Sequence, residues 1–473
     1  MTITAGDSTE VITSDTEGIP AADGAPGSAG QPMRITVIGT GYLGTVHAAC
    51  MAEIGHQVLG VDVDPDKIAA LAQGRAPFFE PGLPELLARV TASGRLRFTT
   101  SLVEAADFGE IHFVCVGTPQ RPGSDAADLR NVEAVIEGLA PHLHRGCLVV
   151  GKSTVPVGTA ARLGARLAEL APAGAGAELA WNPEFLREGF AVRDTLAPDR
   201  IVAGATSEQA QACLRLLYAP MLATGTPFIT TDLATAELVK VSANAFLATK
   251  ISFINAIAEV CEAAGADVVT VADAIGHDVR IGRRFLNAGL GFGGGCLPKD
   301  IRAFMARAGE LGVGEALAFL RDIDEINMRC RRRVVDLARD MVGSSFLGCN
   351  VAVLGAAFKP NSDDVRDSPA LKVAAAIQLE GAQVRVHDPE ALDNARAVFP
   401  TLDYTHEPGK ACEHADVVLH LTEWNDYSEL DPVALGQIVR HARLIDARNT
   451  VDARRWQDAG WTIRALGRNP LAV

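Results

Sequence analysis

The chain has 473 residues, 48% of them hydrophobic, a formal net charge of −15 and a pI near 5.2. Its length predicts two or three domains, and its acidity argues against nucleic acid or an anionic membrane surface as partner. Its nine cysteines form no CxxC pair and no metal-type spacing, which reads as reduced thiols in a cytoplasm and no bound metal. Residues 1–32 are small and acidic, with neither a basic nor an apolar leader segment, and are expected to be a disordered tail. No apolar run is expected to be long enough to span a membrane.

From Arg34 the pattern alternates. "RITVIG", "QVLGVDVD", "IHFVCVGTP", "CLVVGKST" and "RIVAGA" read as strands, separated by helices such as 131–143 and 159–170. Such alternation predicts a parallel sheet with crossover helices. From Asp232 a long apolar helix is expected to run to Gly265, and helices dominate to about Met341. Strand–helix alternation resumes with "NVAVLGAAF", "QVRVHDPE", "ADVVLHLTEW" and "RLIDARN". The expected fold is α/β: two Rossmann-like, doubly wound parallel-sheet domains joined by a central helical region with a long helix. The boundaries are 33–230, 231–342 and 343–473.

"GTGYLG" (39–44) follows the first strand and opens a helix, and the next strand ends at Asp62. Gly39 allows the turn, Gly41 lets backbone approach a pyrophosphate, and Gly44 lets helix and strand pack closely. Asp62 would bind both ribose hydroxyls and repel a 2′-phosphate, so the pattern selects NAD over NADP. "VLGAAFK" in the second α/β half lacks the full glycine set and is either another nucleotide site or purely structural.

"GLGFGGGCLPKD" (289–300) sets Cys296 behind five glycines, and Pro298 suits the first turn of a helix. A thiol aimed at a helix N-terminus is stabilised as thiolate, and Asp300 follows one turn later. A small buried cysteine in a packing turn is the alternative. Lys240 and Asn244 share a face of the long helix and could steady an oxyanion, unless that face is merely solvated. Glu184, Glu188 and Thr154 are polar residues in segments where ligand contacts fall.

These segments, together with "VGTP", "NPEFLREG", "RIGRRFLNAG" and "LGAAFKPNSDDVRDSP", occur in the order found in the UDP-glucose/GDP-mannose dehydrogenase family, which the chain resembles from about Met33 to beyond Arg448. The resemblance implies oxidation of the C6 alcohol of UDP-glucose in two steps with NAD, Cys296 being the nucleophile of a thiohemiacetal and a thioester. It also implies Lys240, Asn244, Asp300, Glu184 and Thr154 as catalytic residues. Cofactor contacts would come from Gly39, Gly41, Tyr42, Leu43, Gly44, Asp62, Lys67, Thr118, Thr154, Glu188 and Arg366. Substrate contacts would come from Glu184, Phe185, Leu186, Glu188, Lys240, Asn244, Phe285, Leu286, Asn287, Gly293, Lys359 and Arg448, with Arg280 reaching a neighbouring subunit's pocket. A homodimer through the central helices is implied. "CLPKD" is shared with GDP-mannose relatives, so GDP-mannose or a UDP-N-acetylhexosamine are rival substrates. A β-hydroxyacid dehydrogenase would need neither Cys296 nor the last domain, and a non-catalytic NAD-sensing scaffold would not need Cys296, Asp300, Lys240 and Asn244 together.

Overall fold

The computed structural model describes residues 31–468; most of the expected tail lies outside them. The first sheet contains β1 (Arg34–Ile38), β2 (Gln57–Val61), β3 (Leu96–Thr99), β4 (Ile111–Val114), β5 (Cys147–Gly151), β6 (Ala177–Trp181), β7 (Ile201–Ala205) and β8 (Phe228–Thr231). Their order is β3-β2-β1-β4-β5-β6-β7-β8. β4 and β5 are buried throughout, as expected of strands covered by helices on both faces.

The sheet is parallel as expected except at one edge. Six strands are parallel, but β7 pairs antiparallel with β6, and β8 runs with β7. The cause is the connection 182–200. It carries only the short helix Ala191–Leu196 and re-enters the sheet from the edge it left, so β7 must run backwards. β3, β6 and β8 carried no clear strand pattern in the sequence; β8 is a short, half-exposed edge strand.

The long helix spans Leu233–Ala264, with the Asp232 side chain accepting from Thr235 N and Gly265 closing it at φ 73°. Both ends follow the ordinary capping rules. Contrary to the sequence-based expectation, this helix is long and apolar enough, by length and composition, to cross a membrane. Its buried residues include Glu237, Lys240, Asn244 and Asn255, and it packs on helices Leu297–Glu310 and Phe319–Met341. It is therefore the spine of the central region.

The second sheet holds β9 (Asn350–Leu354), β10 (Gln383–His387), β11 (Asp403–Tyr404), β12 (Val417–His420), β13 (Arg443–Asp446) and β14 (Thr462–Ala465), all parallel, in the order β11-β10-β9-β12-β13-β14. Its apolar core is continuous with Val334, Val335 and Ala338 of the helix Phe319–Met341, which anchors it to the centre.

Candidate active site

The turn after β1 has the geometry its glycines suggest. Gly39 is left-handed at φ 92°, and a Cβ on Gly44 would collide with the Gly39 carbonyl. A Cβ on Gly41 would meet nothing within 4 Å, so the backbone there faces open space. The helix starting at Tyr42 has no side-chain cap, which leaves its first N–H groups free for an anion. Asp62 sits at the end of β2 and accepts from Thr40 N at 2.9 Å and from Lys67 Nζ at 3.0 Å. Burial raises its pKa, but the Lys67 ammonium and the N–H groups of Asp64 and Thr40 outweigh that and hold the carboxyl below its usual range. These residues fit a dinucleotide: open backbone for phosphates and a carboxylate at the end of the next strand. Leu43 packs into the core behind the turn, and Thr118 Oγ1 donates to the Thr154 carbonyl at 2.7 Å.

The thiol lies where the sequence places it. Cys296 is the N-cap of the helix Leu297–Glu310, with Pro298 in the first turn, and Asp300 N donates to the Cys296 carbonyl at 3.0 Å. Cys296 is the one exposed cysteine among the nine. Its expected stabilisation as thiolate is not found. Desolvation first, then the charges of Asp300 and Glu184, push the thiol up to about 11 against the pull of Lys240 and Lys299. The residue keeps surface exposure, while the groups crowding its sulfur displace the water that would stabilise a thiolate. The two nearby carboxylates outweigh a helix N-terminus, whose effect is modest.

Around the sulfur, Lys240 Nζ pairs with Glu184 Oε1 at 2.7 Å and Asn244 Nδ2 donates to Asp300 Oδ2 at 2.7 Å. Both residues of the long helix are buried, so their shared face is the cleft wall and not a solvated surface. Burial alone would lower the Lys240 pKa, but Glu184, Cys296 and Asp300 raise it, so the side chain is held as an ammonium. Lys299 Nζ also pairs with Asp300, at 2.5 Å, a partner the sequence did not single out. The sequence also did not single out Lys152, a buried ammonium that donates to Asn182 Oδ1 at 2.9 Å and is pushed down to about 8 by burial.

The segment 184–188 crosses this wall. Glu184 Oε2 accepts from Leu186 N at 2.8 Å, and Phe185 lies under the Arg200 guanidinium at 3.7 Å. From the last domain, Lys359 Nζ donates to the Glu188 carbonyl at 2.5 Å and Arg366 approaches Glu188 Oε1 at 3.2 Å. Burial, then Asp364, pushes Glu188 up to about 7. Gly295 lies against Arg366, whose guanidinium would collide with any Cβ there. Arg448 Nη1 donates to the Gly291 carbonyl at 3.0 Å, and Asn327 brackets Phe292 with two hydrogen bonds, fastening the glycine loop. Gly293 packs against Asp367 and Pro369. Phe285 is left-handed at φ 67°, and Asn287 is exposed.

One expected residue turns away from the cleft. The Leu286 side chain is buried in the apolar cluster of Ile254, Ala258 and Val268, because the loop turns it inward against the long helix. Arg280 is exposed and paired with Asp278 at 2.6 Å, away from this chain's own cleft.

A dinucleotide turn and a cleft thiol flanked by an ammonium and carboxylates are the working parts of a NAD-linked dehydrogenase. Matches to family models run through the described domains: "UDP-glucose/GDP-mannose dehydrogenase family, NAD binding domain" over 33–222, the central domain over 234–329, and the UDP binding domain over 352–453. The chain belongs to the UDP-glucose/GDP-mannose dehydrogenase family. It is 42% identical over 438 residues to UDP-glucose 6-dehydrogenase of Rhizobium meliloti, covering 92% of this chain and 100% of that one. It is 41% identical to UDP-glucose 6-dehydrogenase TuaD of Bacillus subtilis over 92% of this chain and 93% of the relative. Among solved structures, a UDP-glucose dehydrogenase from Pyrobaculum islandicum superposes with TM-score 0.84 at 40% identity, covering 91% of this chain and 98% of that one. A UDP-D-ManNAc dehydrogenase from Pyrococcus horikoshii gives 0.80 at 28%, covering 93% and 100%.

Proposed function

We propose that the protein oxidises the C6 alcohol of UDP-glucose to the carboxylate, giving UDP-glucuronate, with Cys296 as covalent nucleophile. The observation that carries this is the exposed thiol at a helix start, ringed by Lys240, Asn244, Asp300 and Glu184. Gly39, Gly41, Tyr42, Leu43, Gly44, Asp62, Lys67, Thr118, Thr154 and Arg366 would hold NAD, which supplies the hydride acceptor for each of two oxidations.

The side chains divide the remaining work. Lys240, kept protonated by Glu184, and Asn244 donate to the oxygen on C6 wherever it carries negative charge. In the first oxidation the C6 hydroxyl proton leaves by way of a water at Asp300 as the aldehyde forms; the Cys296 thiol is protonated at rest, so its own proton must then leave as sulfur bonds to the aldehyde carbon. Asp300, bonded to Asn244 and Lys299, is the carboxylate placed to take it. The second oxidation converts the thiohemiacetal to a thioester. Water then adds to the acyl carbon, the C–S bond breaks, and the sulfur regains a proton; Thr154 and Glu184 position that water. Phe185, Leu186, Glu188, Phe285, Asn287, Gly293, Lys359 and Arg448 line the path of the nucleotide sugar, with ammonium and guanidinium groups suited to a diphosphate.

The domain roles follow: 33–230 for NAD, 231–342 for the thiol loop and pairing of subunits, 343–473 for UDP. Phe246, Phe253 and Val260 are exposed at seven-residue intervals along the long helix, an apolar stripe fit for a second copy. In such a dimer Arg280 extends toward the partner's sugar pocket.

Purified protein given UDP-glucose should yield two NADH per sugar; a ratio of one, or turnover only with GDP-mannose, would refute the proposal. Cys296→Ser should lower formation of the carboxylate by about 10³-fold or more while NADH affinity stays within twofold.

A further inference from the structure

The loop between the helices Pro65–Ala72 and Leu83–Ala92 carries a carboxylate to which the chemistry above gives no part. Glu80 is 1% exposed. Its Oε2 accepts from Gly189 N at 2.7 Å and from the Tyr42 hydroxyl, and its Oε1 accepts from Ala191 N at 2.7 Å. No lysine, arginine or histidine forms a direct ion pair with it among the described residues, although its charge reaches Lys359 of the last domain. Burial pushes its pKa up, opposed by Tyr42 and the N–H groups of Gly189, Ala191 and Val192.

These partners belong to different sites. Tyr42 is the first residue of the helix that follows the dinucleotide turn, and its ring lies 4.8 Å from Phe78 in the Glu80 loop. Gly189 and Ala191 directly follow Glu188 and begin the helix Ala191–Leu196, whose N-cap Phe190 has no side-chain hydrogen bond of its own. Glu80 supplies that missing cap from a distance in sequence. A third contact leads to the last domain. The Phe79 backbone N–H lies close enough to the Asp363 carboxyl to oppose the rise that burial imposes on its pKa, and Gly189, left-handed at φ 77°, abuts Asn361 so closely that a Cβ would collide with it.

We propose that Glu80 is a positioning residue that couples the two nucleotide sites: it ties the cofactor turn, through Tyr42, to the substrate segment 184–191. The inference rests on the proposed oxidation of UDP-glucose. A buried ionic acceptor with several donors has one good geometry, and moving any donor leaves it undersatisfied. Ordering the turn around a dinucleotide therefore orders the backbone at Gly189, and by linkage the nucleotide sugar improves dinucleotide binding by the same factor.

The test uses NADH and UDP-glucose, a pair that cannot react, titrated calorimetrically into the full chain. In the native protein UDP-glucose should tighten NADH binding by about fivefold or more. Tyr42→Phe removes one hydroxyl from a half-buried side chain and should cut that factor below about twofold, and Glu80→Gln should do the same. A purely structural role predicts lower melting temperatures with the coupling factor unchanged, and that result overturns the inference even if Glu80→Gln does not fold, because Tyr42→Phe alone decides it. Strong binding of both ligands without coupling in the native chain overturns it too, leaving the proposed activity intact. Binding of neither ligand sinks both.

Discussion

The two α/β domains use the same device at the start of the sheet and put it to different ends. In each, the strand beside the first ends in an aspartate that accepts backbone N–H groups from the turn after the first strand: Thr40 N to Asp62, and Ala356 N and Ala357 N to Asp388. Asp62 gathers its other donors, Thr40 Oγ1 and Lys67 Nζ, on the same oxygen, while its second oxygen accepts only from Asp64 N at 3.2 Å. Asp388 is 1% exposed and also accepts from Trp424 Nε1, Glu390 N and Ala391 N. The first carboxylate has capacity left for a ligand; the second is consumed by its own fold. The turns diverge as well. After Gly41 a helix begins at once, whereas after Gly355 the chain wanders to Ser368 before its helix, displaying Lys359 and Arg366 toward the other domain. One architecture thus offers free N–H groups at a helix start, the other offers side-chain cations on a loop.

Substitutions can break this contrast. Asp388→Asn should be the most damaging, destabilising the last domain by about 3 kcal/mol in urea unfolding, since an amide cannot accept from donors on both oxygens. Asp62→Asn should leave stability within about 0.5 kcal/mol yet weaken NAD binding about tenfold and narrow its preference over NADP, measured by calorimetry. If the two aspartates behave alike, the contrast is wrong.

A further effect concerns pH. Glu188, raised from 4.5 to about 7, contributes stability that is complete below about pH 4.5 and is lost as pH rises through about 7. Ligand-free protein should therefore lose up to about 3 kcal/mol across that window relative to Glu188→Gln, whose unfolding free energy should vary less with pH.

The strand–helix order, the long helix with its caps and the placement of Cys296 before Pro298 were legible because each rests on local chemistry: alternation, capping, proline at a helix start. What escaped was set by distant partners. The thiol's protonation depends on Glu184 and Asp300 closing around it, which helix polarity alone does not foretell. The reversal of β7 depends on a connection that stays at one edge. Glu80 and Lys152 look like an ordinary loop acid and a strand-end base until folding buries them. Leu286 was one of several residues of the glycine loop, and only packing decides which of those face inward.

The reversed pair β7 and β8 has an evolutionary corollary. Because the stretch 182–200 leaves and returns at the same rim, its length can change without shifting any hydrogen-bond ladder. Any such change would act instead on the contacts of Glu184, Glu188 and Gly189 with Lys240, Arg366 and Glu80.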